Sequence, residues 1–330
     1  MMPTHRPRAD APPTVLLAAP VTSGFAQRLA ELYAVVGPLP GTWPGSLHSL
    51  ASQVRADVRA LLTIGIVPVS DAELAALPSL GLVACFGSGY EGVDRAAAQR
   101  RGIAVTHSPA ANASSVADLA IALTIECVRG LPAARRRLLE GAWRGNAKER
   151  QTPMPGLTGR KLGIYGLGAI GTKIAQRAVA LEMDVGYHNR RRRDDVPYAY
   201  LADLHALAQW CDVLMISVRA DSTNRHAVDA NVLDALGPEG YVVNIARGSV
   251  VDENALIAAL DAGRIAGAGL DVFEHEPDVP SALLAHNNVA VTPHVGGNTT
   301  QARDAMERMV LANLEAFFSS RPLRNPVPMP

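Results

Sequence analysis

Cysteine is scarce in this sequence, and an excess of either charge is missing altogether. The three thiols, Cys85, Cys127 and Cys211, are an odd number set far apart, each inside an apolar run. That pattern excludes a disulfide framework. With no histidine or second cysteine at ligand spacing it also speaks against a metal site, so no metal is expected. The thiols read as small buried hydrophobes of a cytoplasmic protein. Lysine plus arginine and aspartate plus glutamate both number 31, a formal charge of zero. No overall field draws the chain to nucleic acid or to an anionic membrane, so the expected partners are small molecules or further copies of the chain. Long apolar runs are lacking too: glycine, proline or charge interrupts every candidate before the roughly 20 residues that a bilayer span needs. Met1 to Pro13, rich in proline and charge, has no apolar stretch of signal-peptide length and reads as a loose tail.

What is present is a large apolar share, 48% of 330 residues, more than one hydrophobic core usually holds. Two domains follow. Short apolar runs alternate with amphipathic ones: Thr14 to Ala18 then Phe25 to Tyr33, Ala60 to Ile66 then Asp71 to Ala76, and Leu82 to Phe86, Val93 to Arg101 and Ile103 to Thr106. A long apolar helix is expected from Ser114 to Arg129, ending at Gly130-Leu131-Pro132, and an irregular connection from Gly141 to Gly159. From Lys161 the alternation restarts. Strands are expected at Lys161 to Tyr165, Val185 to His188, Asp212 to Val218, Tyr241 to Ile245, Ala266 to Asp271 and Val289 to Val291. Helices fall at Ile170 to Leu181, Leu201 to Gln209 and Glu253 to Ala262. The fold class is therefore α/β, two doubly wound parallel-sheet domains. A last helix, Thr300 to Phe318, is long enough to return to the amino-terminal half. The expected division is a tail at 1–13, one domain from 14–107 with 299–330, and a dinucleotide-binding domain at 108–298.

Gly166-Leu167-Gly168-Ala169-Ile170-Gly171 follows an expected strand and opens an expected helix, the context that gives a glycine fingerprint its meaning. Gly166 permits the tight turn, Gly168 lets backbone approach a pyrophosphate, and Gly171 lets helix pack on strand. The free N–H groups and dipole of the helix start then hold negative charge. An NAD site places an acid at the end of the second strand to bind the ribose hydroxyls, and here there is none. The strand runs Tyr187-His188-Asn189-Arg190-Arg191-Arg192-Arg193, with Asp194 only beyond four arginines. Guanidinium groups favour a 2′-phosphate, and Asn189 offers no competing carboxylate, so NADP is expected in preference to NAD, with Arg190 or Arg191 on the phosphate.

Reducing a 2-keto acid requires a cation for the carboxylate, a proton donor for the nascent alkoxide and a group that keeps the donor charged. Val242-Val243-Asn244-Ile245-Ala246-Arg247-Gly248 delivers Arg247 at a strand end, suited to a bidentate carboxylate contact. Glu276 follows the next strand and His294 the one after. A carboxylate beside a histidine stabilises its imidazolium, so these two form the expected acid pair. His275 competes with His294 but points away from the side on which Glu276 lies.

With these residues in hand, the chain resembles the D-isomer-specific 2-hydroxyacid dehydrogenases, most nearly their glyoxylate and hydroxypyruvate reductase branch, over nearly all of its length from about Val15. The likeness rests on Gly87-Ser88-Gly89-Tyr90-Glu91-Gly92-Val93-Asp94, Ser115-Val116-Ala117-Asp118-Leu119-Ala120, the glycine fingerprint, Asn244 to Asp252, Gly269-Leu270-Asp271-Val272-Phe273 and Thr292-Pro293-His294. It implies two similar lobes with the active-site cleft between them, a catalytic triad of Arg247, Glu276 and His294, a substrate-carboxylate loop at Ser88 and Gly89, a nicotinamide-side acid at Asp271 and a homodimer formed through the helix after Ser114. Further cofactor contacts are expected at Ser217, Val218, Ile245, Ala246, Gly296 and Gly297. Gly297 and Asn298 stand where many relatives have serine and alanine. Ser217-Val218-Arg219-Ala220 replaces a common proline-containing loop, where Arg219 is expected to narrow or charge the mouth. Two rivals on the same scaffold are a nucleotide-binding corepressor, which neutral charge and the absence of an interaction tail argue against, and a formate or phosphite oxidising enzyme. The formate branch resembles this chain in arginine and histidine but has glutamine where Glu276 stands.

Overall fold

A computed structural model describes residues 11–39, 43–65, 67–145 and 153–330. Residues 1–10 of the expected tail and 146–152 of the expected irregular connection lie outside the described residues. The chain divides into two compact units, Met1–Asn112 with Thr300–Pro330, and Ala113–Thr299. The first therefore continues past the expected change at 107 to 112, and the Ser108 N–H illustrates why: it donates to the Gly87 carbonyl at 2.7 Å, inside the first unit.

In that unit β1 (Thr14–Leu17), β2 (Ala34–Val36), β3 (Val58–Ile64), β4 (Leu82–Phe86) and β5 (Ala104–Thr106) form a parallel sheet in the order β2-β1-β3-β4-β5. A parallel sheet needs crossover helices on its faces, so its strands must be apolar on both sides. Accordingly Val15, Leu16 and Leu17 of β1 are fully buried. The last helix, Thr300–Phe318, belongs to this unit: Val310 and Leu314 pack with Val15, Phe25, Leu29 and Leu82. β2 was not expected: three residues are too few to show a period, and it begins immediately after the expected helix end at Tyr33.

The second unit holds seven parallel strands: β6 (Lys161–Tyr165), β7 (Asp184–His188), β8 (Ala199–Tyr200), β9 (Val213–Ile216), β10 (Tyr241–Asn244), β11 (Gly267–Leu270) and β12 (Val289–Val291). Their order, β12-β11-β10-β9-β6-β7-β8, reverses between β6 and β9, the switch point at which open α/β sheets bind ligands. The helix Ala113–Val128 buries Ala117, Ala120 and Leu123 against this sheet. It approaches so closely that a Cβ on Gly269 of β11 would lie 3.0 Å from that of Leu123. Helices at Leu204–Trp210, Ala230–Leu236 and Glu253–Asp261 begin behind Asp203, Asp229 and Asp252, whose carboxylates accept first-turn N–H groups. Asp203 explains why the first of these starts three residues later than periodicity placed it.

All three cysteines are buried, and desolvation pushes each thiol up to about 12. They are unreactive packing groups. Among the described residues no helix is long and apolar enough to cross a membrane.

Candidate active site

The glycine turn sits at the carboxyl end of β6, beside the switch point. Gly166 has φ +103°, and a Cβ there would fall 2.5 Å from the Val218 backbone. Neither feature tolerates a side chain. At Gly171 a Cβ would meet the Gly166 carbonyl at 2.4 Å, so the helix packs directly on the turn. Ser217 adds a hydroxyl hydrogen bond to that carbonyl at 2.8 Å. Gly168 differs from both: it is exposed, no atom lies within 4 Å of the place its Cβ would take, and it begins the helix Ala169–Ala180 with no side-chain cap. The helix start thus has no side-chain acceptor at its cap, which fits it to a pyrophosphate.

The end of β7 is tied to this turn. Asn189 Oδ1 accepts the Leu167 N–H at 2.7 Å. Arg190 and Arg191 are exposed, and the Arg190 guanidinium is 3.9 Å from Asp221. Arg193, not singled out from the sequence, is the arginine built into the turn. Its Nη1 donates to the Leu167 carbonyl at 3.0 Å and to Thr172 Oγ1 at 2.9 Å, while Asp195 forms an ion pair with the same guanidinium. Tyr187 fastens the Arg193 backbone from below, its hydroxyl donating to the carbonyl at 3.0 Å and accepting the N–H at 2.8 Å.

Arg247, Glu276 and His294 follow β10, β11 and β12, three neighbouring strands. His294 Nδ1 is 2.7 Å from Glu276 Oε2, and Glu276 Oε1 accepts the Phe273 N–H at 3.0 Å. The carboxylate is thereby oriented by its own turn and bridges to the imidazole. Arg247 is steered by Asn244, 1% exposed, whose side chain accepts the Ala246 N–H and donates to the Arg247 carbonyl, both at 3.0 Å. Ile245 and Ala246 are buried in this turn. Gly248 lets it press on the next one: a Cβ would lie 1.9 Å from the Phe273 carbonyl carbon.

Asp271 is the acid expected on the nicotinamide side. It is 2% exposed and faces its own loop rather than open space, accepting Thr292 Oγ1 at 2.6 Å, the Val295 N–H at 2.8 Å and the Gly296 N–H at 2.9 Å. Its observed work is to shape the loop that bears His294, which takes the left-handed φ of +50°. Gly296 is buried against it, and Asn298 closes the loop through its N–H to Val295, at 2.8 Å, with Gly297 between them. His275 is exposed and bridges to Asp278.

In the first unit, Ser88 and Gly89 lie on a tightly packed loop. A Cβ on Gly65 would be 2.0 Å from the Gly89 carbonyl oxygen, and the Ser88 carbonyl is 2.9 Å from His107 Nδ1. Tyr90 is 9% exposed, edge-on to the His107 ring. Trp143, of the second unit, is exposed.

Sequence reasoning also passed over Glu253, Glu274, Arg225 and His226. Glu274 shares an oxygen between Arg225 and His226 Nε2, the latter at 2.8 Å, and its N–H donates to Glu253 Oε1 at 2.7 Å. Burial drives the Glu274 carboxyl upward, but His226 and Arg225 outweigh it and hold it below its ordinary value. Burial leads at Glu253 and raises it.

Residues 121–296 match the profile of the D-isomer specific 2-hydroxyacid dehydrogenase, NAD binding domain. Over 319 residues, 96% of this chain and 97% of the relative, the sequence is 36% identical to a glyoxylate/hydroxypyruvate reductase of Arabidopsis thaliana. A second reductase of that name from the same plant is 42% identical over 78% of this chain and 82% of its own. Among solved structures, the NADPH-dependent glyoxylate/hydroxypyruvate reductase of Sinorhizobium meliloti in complex with NADP and malonate aligns with a TM-score of 0.86 and 38% identity, covering 96% of this chain and 97% of that one.

Proposed function

The chain belongs to the D-isomer-specific 2-hydroxyacid dehydrogenase family, and from that premise we propose that it reduces short 2-keto acids of the glyoxylate and hydroxypyruvate class, with NADPH preferred over NADH. The observation that carries the chemistry is the 2.7 Å contact between His294 and Glu276. A ring that must give a proton to a nascent alkoxide has to be held in one orientation, and a carboxylate in hydrogen-bond contact with its Nδ1 does this.

The uncapped helix start at Gly168 fits a dinucleotide, with Gly166 to Gly171, Ser217 and Val218 shaping the pyrophosphate cradle and Asn189, Arg190 and Arg191 the adenosine end. When bound, the nicotinamide would supply the hydride that converts the keto carbon to an alcohol carbon. Arg247 grips the substrate carboxylate with its guanidinium fork and polarises the carbonyl. His294 then delivers the proton that the new oxyanion needs, and Glu276 retains the imidazole in the orientation for transfer. NADP preference is supported by four consecutive arginines and by the absence of an acid at the end of β7.

The reading extends to a cytoplasmic homodimer. The helix Leu131–Leu139 leaves Leu131, Leu138 and Leu139 at 42%, 59% and 76% exposure, an apolar face that a second copy would cover.

A spectrophotometric assay of NADPH oxidation over a panel of 2-keto acids of increasing size tests the proposal. Turnover is expected on the shortest members and a weaker rate with NADH. His294→Asn, a side chain suited to φ +50°, should lower kcat by about 10²- to 10⁴-fold while nucleotide binding persists. No turnover on any keto acid despite tight nucleotide binding would instead favour a sensor.

A further inference from the structure

Two turns carry the chemistry, and something must fix one against the other. The Arg247 turn and the Phe273 to Glu276 turn touch through backbone at Gly248. Contact alone resists approach but not sliding. A second tie comes from residues 225–228, which run beside 249–252: the His226 N–H donates to the Ser249 carbonyl at 2.8 Å, Val228 N–H to Val250 at 3.0 Å, and Asp252 N–H back to Val228 at 3.0 Å.

His226 takes φ +52°, a backbone conformation that non-glycine residues adopt only where their surroundings hold them there. From it the ring reaches Glu274 Oε1 at 2.8 Å. Glu274 is not a surface carboxylate: its side chain is 10% exposed, it carries Arg225 as well, and its backbone is pinned to Glu253. His226 therefore holds one turn through its backbone, two residues after Arg247, and the other through its ring, two residues before Glu276.

We infer that His226 is a positioning residue of the reaction, acting through Glu274 to set the Glu276–His294 pair in register with Arg247. This rests on the function proposed above. Displacing one of two cooperating groups by a fraction of an ångström lowers the rate of the chemical step while leaving a nucleotide bound elsewhere on the domain undisturbed.

The experiment compares His226→Leu with His226→Gln in the full-length protein. Both keep a side chain at the same strained φ, but only glutamine returns an N–H donor near the place of Nε2. His226→Leu is expected to lower kcat by about 10- to 100-fold with the NADPH dissociation constant within about twofold, and His226→Gln to recover most of the loss. The ring-proton resonance shared by His294 and Glu276, identified by its absence in His294→Asn, should broaden or vanish in His226→Leu and return in His226→Gln. Should His226→Leu not fold, His226→Asn, tolerant of left-handed backbone but too short to reach Glu274, carries the same expectation. A kcat within about twofold of wild type in the folded variant, or a loss that glutamine does not relieve, overturns the inference. If the wild type turns over no keto acid, the proposed function fails, and the resonance still decides the positioning role.

Discussion

Asp271 is a carboxylate surrounded by donors, and that makes it sensitive to the loss of a single oxygen. Asparagine there would keep one acceptor but point an N–H₂ group at a backbone N–H or at the Thr292 hydroxyl, leaving a buried donor unmet. Asp271→Asn should therefore destabilise the protein by about 1–3 kcal/mol, read as a lower urea midpoint, and reduce activity because the loop carrying His294 loses its anchor. An unchanged midpoint would show that the three hydrogen bonds do not organise that loop. The residue illustrates what a sequence can say at this scale. Arg247, Glu276 and His294 were legible because each follows an apolar run where open sheets place ligand groups, and Glu276 and His294 do meet. Asp271 was legible as a strand-end acid, but the direction of its side chain depends on Thr292, Val295 and Gly296, some twenty residues on. Nor does any local pattern mark His226 or Arg193, whose partners lie 48 and 26 residues away.

At the scale of elements, the loop after β7 divides its arginines between two tasks. Arg193 is fastened to the glycine turn, whereas Arg190 and Arg191 project into solvent where a 2′-phosphate could be met. Replacing Arg190 and Arg191 together by alanine should reduce NADPH selectivity over NADH by about tenfold or more, since a charge-assisted hydrogen bond contributes roughly 1.5–3 kcal/mol. Arg193→Ala should instead weaken both nucleotides alike, because it loosens the turn that both use. Steady-state kinetics with each cofactor separates the two, and an unaltered NADPH to NADH ratio in the double variant removes the assigned role of the exposed pair. The helix Thr300–Phe318 was legible from period, and the strands β4, β6 and β12 also fall where they were expected. Two short helices were not legible. The helices Ala230–Leu236 and Ser281–Ala285 give fewer than two full turns of pattern. Gly130-Leu131-Pro132 was read as the stop of one helix, which does end at Val128, but proline is also welcome in a first turn, and Pro132 lies in that of the unexpected helix Leu131–Leu139.

For the whole molecule, the response to acid is set by a few carboxyls shifted in opposite directions. Two well-buried carboxyls are held below their ordinary value of 4.5, one in each unit. At Glu73 burial acts upward and the Ser70 capping hydrogen bonds prevail; at Glu274 burial again acts upward and His226 and Arg225 prevail. A depressed carboxyl gives stability that is complete above its ordinary value and is lost as pH falls through the folded one. Asp71, Asp195 and Asp221 are also lowered, chiefly by side-chain hydrogen bonds, but solvent screens them and they add little. Glu253 works in the opposite sense. Burial raises it, so its contribution is present below 4.5 and is lost as pH rises through its folded value. The urea midpoint should thus decline on acidification below about pH 4.5, and Glu253→Gln should raise the midpoint at neutral pH while leaving the acid decline in place. Glutamine keeps the oxygen that accepts the Glu274 N–H and removes only the charge. If the neutral midpoint of Glu253→Gln is equal to or below that of the wild type, the ionised carboxylate is contributing to the fold, and the account of Glu253 as a carboxyl whose charge burial disfavours is wrong.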